Sequence, residues 1–202
     1  DQGSKGGDGG RGGGGLGGRE GGRDQRWEEK DYKHETPRWL RTRGGRGRRG
    51  FARPAGRGAG FAGPDAEVWV GVGDGGFQMT ACELSTCAQE GLELKVAIIN
   101  NGYLGMVRQW QEMFYGGRYV ATPMASPDFV KLAEAHGLPG LRATTPDEVK
   151  DVVAKARAAR GTVVIDLRVQ QGDDCNPLLS RGPDPPHMTP RPPPTGRPHT
   201  PR

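Results

Sequence analysis

Two short apolar runs, 67–72 (EVWVGV) and 95–99 (KVAII), flank one helical segment, and each ends in turn chemistry. Gly73-Asp74-Gly75-Gly76 follows the first and Asn100-Asn101-Gly102 the second. Runs of five or six residues bounded by Gly, Asn and Asp, with little polar alternation, predict strands buried on both faces. Between them, 78–90 places Met79, Cys82, Leu84, Cys87 and Ala88 at helical spacing, with Gly91 where a C-cap belongs. A buried strand, a helix and a second buried strand form a βαβ unit. That unit requires parallel pairing, a right-handed crossover and helices over both faces of the sheet. Both polar turns then lie at the same sheet edge, outside the carboxyl ends of the strands, where open α/β sheets bind ligands.

Further along, 106–114 reads as a helix. So do 127–136 (PDFVKLAEAH), with Pro in its first turn and Gly137 at its end, and 146–160, built the same way before Gly161. The β-branched run 162–169 (TVVIDLRV) reads as another buried strand. The predicted order over 65–169 is β-α-β-α-α-α-β, an open, mostly parallel α/β sheet with helices on both faces.

The rest of the 202-residue chain has a different composition. Residues 1–23 contain almost nothing apolar and are expected to form a disordered Gly-rich tail. Residues 24–63 bring aromatics that Gly and Arg keep interrupting, so at most partial order is expected there. Residues 170–202 hold 10 of the 17 prolines and end in PPPTGRPHTPR, which predicts a disordered Pro-rich tail. No window approaches a membrane span, and the N-terminus has no apolar signal core. The expectation is an intracellular protein, cytoplasmic if bacterial and plastid if from a plant or alga. Cys82, Cys87 and Cys175 lack C-x-x-C spacing, which argues against a zinc site or disulfide framework, and the first two read as small buried residues of one helix.

The chemistry concentrates at the strand ends. Glycines in Gly73-Asp74-Gly75-Gly76 let the backbone approach a phosphate group closely, and Asp74 offers an anionic oxygen suited to a hard cation. Asn101, 27 residues on, adds an amide oxygen at the neighbouring strand end. With a backbone carbonyl, two phosphate oxygens and a water, these complete the six-oxygen shell of Mg²⁺, so a metal-bridged diphosphate suits the spacing. Gly-Asp-Gly alone is also an ordinary strand-ending turn; its pairing with Asn-Asn after the next strand is the informative feature.

The stretches VGDGGFQMT, VAIINNGYLGMVRQWQEMFYGGRY and PDFVKLAEAHGLPGLR resemble the C-terminal thiamine-diphosphate-binding domain of the acetolactate synthase (acetohydroxyacid synthase) large subunit. The resemblance runs over 64–169, with a fainter rhythm upstream through Glu35-Thr36-Pro37-Arg38-Trp39-Leu40, Gly47, Gly50-Phe51 and Pro54-Ala55. It implies the thiamine-diphosphate-binding fold, with Asp74, the Asn101 side chain and the Tyr103 carbonyl as the Mg²⁺ ligands. It also implies that Gly73, Gly75 and Gly76 face the diphosphate, that Gly47 offers its carbonyl to the aminopyrimidine, and that Met106 and Trp110 lie by the thiamine ring and substrate channel. Read from spacing alone, Met106, Trp110 and Phe114 form a helix core stripe at i, i+4 and i+8. The implied reaction condenses two 2-oxo acids, pyruvate with pyruvate or with 2-oxobutyrate, with loss of CO₂, in branched-chain amino-acid biosynthesis.

Departures from the family pattern accompany the matches. Arg49 stands where the family has a bulky apolar residue under the cofactor, and Asp24 stands where it has a His near the diphosphate. The length leaves no room for the family's pyrimidine domain, which supplies the activating Glu, or for its FAD-holding domain. No catalytic residue is assigned, and the isolated chain is expected to be inactive without a homo-oligomeric or pyrimidine-domain partner. Two other readings are carried: a nucleic-acid-binding protein using RGGRGRRG (43–50), and a free-standing cofactor-binding subunit of a two-chain thiamine enzyme.

Overall fold

A computed structural model describes residues 17–19, 40–42, 50–63, 65–171, 178–179 and 188–189. Its elements are β1 (Gly17–Arg19), β2 (Leu40–Thr42), α1 (Ala52–Ala62), β3 (Val68–Gly73), α2 (Asp74–Met79), α3 (Glu83–Gln89) and β4 (Leu94–Asn100). There follow α4 (Gly105–Phe114), α5 (Phe129–Ala135), β5 (Gly140–Ala143), α6 (Pro146–Ala158), β6 (Val163–Arg168), β7 (Leu178–Leu179) and β8 (Met188–Thr189). β1 to β6 form one sheet in the order β2-β1-β3-β4-β6-β5, parallel throughout, and β7 pairs antiparallel with β8.

The predicted βαβ unit is present. β3 and β4 are adjacent and in register from Val68 opposite Leu94 to Gly73 opposite Ile99, so the two polar turns share one edge. Alternate residues of each strand face opposite layers. Val68, Val70, Val72, Val96, Ile98 and Val164 pack with Ala52, Phe77, Leu84, Phe129 and Ala133, which places α1, α2, α3 and α5 on one face. Val163 and Ile165 pack with Ala143, Val152 and Ala156, which places α6 on the other. Helices cover both faces, as a parallel sheet requires.

Four features depart from the sequence reading. The helix predicted over 78–90 starts at Asp74, directly after β3, and breaks at 80–82 into α2 and α3. Cys82 lies at that break and is exposed, whereas Cys87 is buried as expected. β5 was not predicted: in GLRA only Leu141 and Ala143 alternate, too short a pattern to mark a strand, and what makes it one is parallel pairing with β6 from Gly140 opposite Val164 to Ala143 opposite Leu167. Finally, α1 forms in a stretch whose glycines break the apolar period. A Cβ at Gly56 would overlap the Val70 side chain, so glycine here permits close approach of helix to sheet. The tails expected over 1–23 and 170–202 fall mostly outside the described residues; Gly17–Arg19 pairs with β2 and β3.

Candidate cofactor site at the strand ends

Gly73 ends β3 in extended conformation, and Asp74 is the first residue of α2. The side chain is 3% exposed. Its Oδ1 accepts from the Gly75 amide at 2.9 Å and its Oδ2 from the Gly102 amide at 2.8 Å, so one carboxylate ties the end of β3 to the loop after β4. Burial pushes its pKa up. The Gly75 and Gly102 hydrogen bonds oppose that, and the negative charge of Asp166 adds to it. A desolvated carboxylate whose oxygens keep further lone pairs is a strong partner for a hard cation.

The facing turn has its own order. Asn101 Oδ1 accepts from the Tyr103 amide at 3.0 Å, and Gly102 has φ +68°, a left-handed value that suits glycine. Tyr103 forms an antiparallel bridge with Pro123. Around it Leu104 N donates to Thr122 O and Met124 N to Gly102 O, each at 2.9 Å. These bonds close the neck of an excursion that carries α4. Through them Met124 reaches Gly75, where an added Cβ would lie 3.1 Å from Met124 Sδ and 3.2 Å from Leu104 Cδ2. Gly76 is buried behind it.

The structure therefore brings Gly73, Asp74, Gly75, Gly76, Asn101 and Tyr103 to one edge. Met106 is half-buried on α4, while Trp110 and Phe114 are 47% and 54% exposed. The core-stripe reading of Met106, Trp110 and Phe114 fails: Gln109 is the buried residue of α4. Arg108 lies 5.2 Å from the Tyr103 ring centroid and 4.8 Å from that of Tyr119, steadying α4 against the turn. Gly47, Arg49 and Asp24 lie outside the described residues, as does 43–49 of the Arg/Gly-rich run.

The donor set suits Mg²⁺ held jointly with a diphosphate. Among the described residues no group of three or more His, Cys, Asp or Glu could hold a metal by itself. One carboxylate, one amide oxygen and a backbone carbonyl leave positions for phosphate oxygens and water, the arrangement Mg²⁺ favours. At Gly75 a Cβ would crowd Met124 and Leu104, so glycine keeps the backbone of the turn bare, while the Gly75 and Gly102 amides are themselves held by Asp74. Sequence reasoning missed Met124 and the Gly102 amide, since both act through contacts with residues remote along the chain. No described helix is long and apolar enough to cross a membrane.

Residues 20–167 match the family described as thiamine pyrophosphate enzyme, C-terminal TPP binding domain. An acetolactate synthase of Mycobacterium leprae (strain TN) is 51% identical over 168 residues, covering 80% of this chain and 27% of that protein. The acetolactate synthase large subunit of Corynebacterium glutamicum is 46% identical over the same length and shares. Among solved structures, the thiamine diphosphate-dependent 4-hydroxybenzoylformate decarboxylase of Rhodococcus jostii RHA1 aligns with TM-score 0.54 and 30% identity. That alignment covers 58% of this chain and 22% of that one. The chain thus spans about a quarter of the length of the curated relatives it matches.

Proposed function

The chain belongs to the thiamine pyrophosphate enzymes, as a C-terminal TPP-binding domain of acetolactate synthase type, and from that premise we propose that it anchors thiamine diphosphate through Mg²⁺ as part of an acetolactate synthase. The observation that carries this reading is the buried Asp74 carboxylate, held between the Gly75 and Gly102 amides at the junction of two strand ends. In this reading Asp74, Asn101 Oδ1 and the Tyr103 carbonyl hold the metal. The amides following Gly73 face the diphosphate, Gly47 faces the aminopyrimidine, and Met106 and Trp110 line the approach for the 2-oxo acids.

When bound, thiamine diphosphate supplies the electron sink for decarboxylation and carbon–carbon bond formation. The chain's own residues bind and orient: Asp74 sets the metal, and the Tyr103–Pro123 neck sets α4. The substrates are pyruvate and 2-oxobutyrate. Activity requires in addition a pyrimidine-domain region, on the same polypeptide or another, and FAD belongs to the full-length enzymes.

Calorimetric titration of thiamine diphosphate with and without Mg²⁺ tests the anchoring role. Binding is expected only with Mg²⁺ and is expected to disappear in Asp74→Ala; metal-independent binding that survives the substitution would overturn it. The 202 residues assayed alone with pyruvate, Mg²⁺, thiamine diphosphate and FAD are expected to yield no acetolactate. Product formation there would show that they hold more than the anchoring half.

A further inference from the structure

Behind the cofactor turn lies a group of charges that the anchoring role does not use. Asp166, on β6, is fully buried. Its Oδ1 accepts from Asn100 Nδ2 at 2.9 Å, and its Oδ2 accepts from Arg142 Nε and Arg168 Nε, each at 3.0 Å. Arg142 Nη2 continues to Asp128 Oδ1 at 2.6 Å. A buried carboxylate is costly unless paired and fully hydrogen-bonded, and an apolar residue of similar size usually serves stability as well or better. Val163, Val164 and Ile165 show that apolar filling is available on this strand. The carboxylate at 166 therefore points to a need that packing does not meet.

What it reaches is Asn100, the last residue of β4 and the one before the turn. Asn100 is buried and held twice, by its side chain on Asp166 and by its carbonyl, which accepts from Val169 N at 3.0 Å. The chain then leaves the sheet at Asn101 and meets Asp74 through the Gly102 amide. Arg142 and Arg168, both partly exposed, neutralise Asp166 so that a second carboxylate can lie near Asp74.

We propose that Asp166 is a positioning residue which, through Asn100, fixes the conformation of the 101–103 turn, holding the Gly102 amide on Asp74 and the Asn101 side chain on the Tyr103 amide. Its consequence for Mg²⁺ and thiamine diphosphate rests on the anchoring role proposed above.

The test is residue-resolved amide hydrogen exchange on the 202-residue chain without metal or cofactor, comparing the parent with Asn100→Ala, Asp166→Ala and Asp166→Asn. Asn100→Ala leaves the Asp166–arginine pairs intact and is decisive if Asp166→Ala, which unpairs Arg168 and leaves Arg142 only Asp128, does not fold. Loss of one buried hydrogen bond is expected to speed exchange at Gly102 and Tyr103 about five- to tenfold while β3 and α6 keep their parent rates. Asp166→Asn, whose amide oxygen can still accept from Asn100, is expected to restore most of the protection. Unchanged rates at Gly102 and Tyr103, or uniform acceleration across the sheet, would overturn the proposal. A parallel titration of Mg²⁺ with thiamine diphosphate is expected to weaken in Asn100→Ala by a similar factor. If the parent binds neither, the anchoring role fails, and the exchange rates still decide the positioning role.

Discussion

Asp74 performs a structural task beside the one proposed for it, and substitution separates the two. Asp74→Asn keeps the shape and one acceptor oxygen but turns an amino group toward either the Gly75 or the Gly102 amide. It also removes a desolvated charge, so the two changes oppose each other, and the net shift in stability is expected to stay within about 1 kcal/mol. Mg²⁺-dependent binding of thiamine diphosphate, in contrast, is expected to vanish; thermal melts and calorimetry on one preparation read both effects. Gly75 is constrained in another way. Gly75→Ala brings a methyl group against Met124 Sδ and Leu104 Cδ2 and is expected to cost about 1–2 kcal/mol. Met124→Ala in the same chain is expected to recover part of that, and a double-mutant cycle in urea measures the coupling. The glycine was legible in the sequence as a place of close backbone approach; its neighbour Met124 was not, because nothing local to either residue records the contact.

α5 and α6 each carry an anionic cap whose strength depends on pH. Asp128 Oδ1 accepts from the Val130 and Lys131 amides at 3.0 and 3.2 Å, and the Lys131 bond, followed by Arg142, holds its pKa below the ordinary 3.8. Glu148 accepts from the Thr144 amide at 2.6 Å, from the Thr144 hydroxyl and from the Thr145 amide, which hold it below the ordinary 4.5. With folded pKa values below unfolded ones, the unfolded chain binds more protons in the interval between them. The stabilisation is therefore complete above the ordinary values and is lost as pH falls through the folded ones. The excess of the parent's melting temperature over that of Asp128→Asn is expected to hold steady down to about pH 5 and to shrink below it. Gly140→Ala tests the contact between β5 and α5: its methyl group would lie 2.8 Å from Val130 Cα and 2.9 Å from Val130 O. Backbone cannot yield as a side chain does, so a loss of about 2–3 kcal/mol is expected in denaturant melts. At the far end of α6, Lys95 Nζ donates to the Ala159 and Gly161 carbonyls at 2.7 and 3.1 Å, a cation where the helix dipole favours one. The Pro146 start was readable from the sequence, whereas the helix expected from Pro127 begins at Phe129, with Asp128 as its cap and Pro127 outside it. The break between α2 and α3 was not readable, because helical spacing continues through 80–82.

Over the whole molecule, cohesion on the first face passes through Phe77, fully buried, with its ring 5.2 Å from that of Phe129 at 80° and the Arg53 guanidinium 4.7 Å from its centroid. Phe77→Ala is expected to cost about 3–5 kcal/mol, since it removes that edge-to-face contact and opens a cavity between α2 and α5. A single unfolding transition shifted to lower denaturant would show that the two faces melt together. By itself the sequence determined the βαβ unit, its parallel pairing and the gathering of Gly73–Gly76 with Asn100–Gly102 at one edge. Those follow from apolar runs, helical period and turn residues, which act over a few positions. Only the tertiary structure decided that GLRA becomes a strand, that α1 lies glycine-close on β3, that Trp110 and Phe114 are exposed, and that Asp166 holds Asn100 at the start of the 101–103 turn. Each of these depends on hydrogen bonds or contacts between residues far apart in the chain, and such pairings leave no periodic trace in the segments that make them.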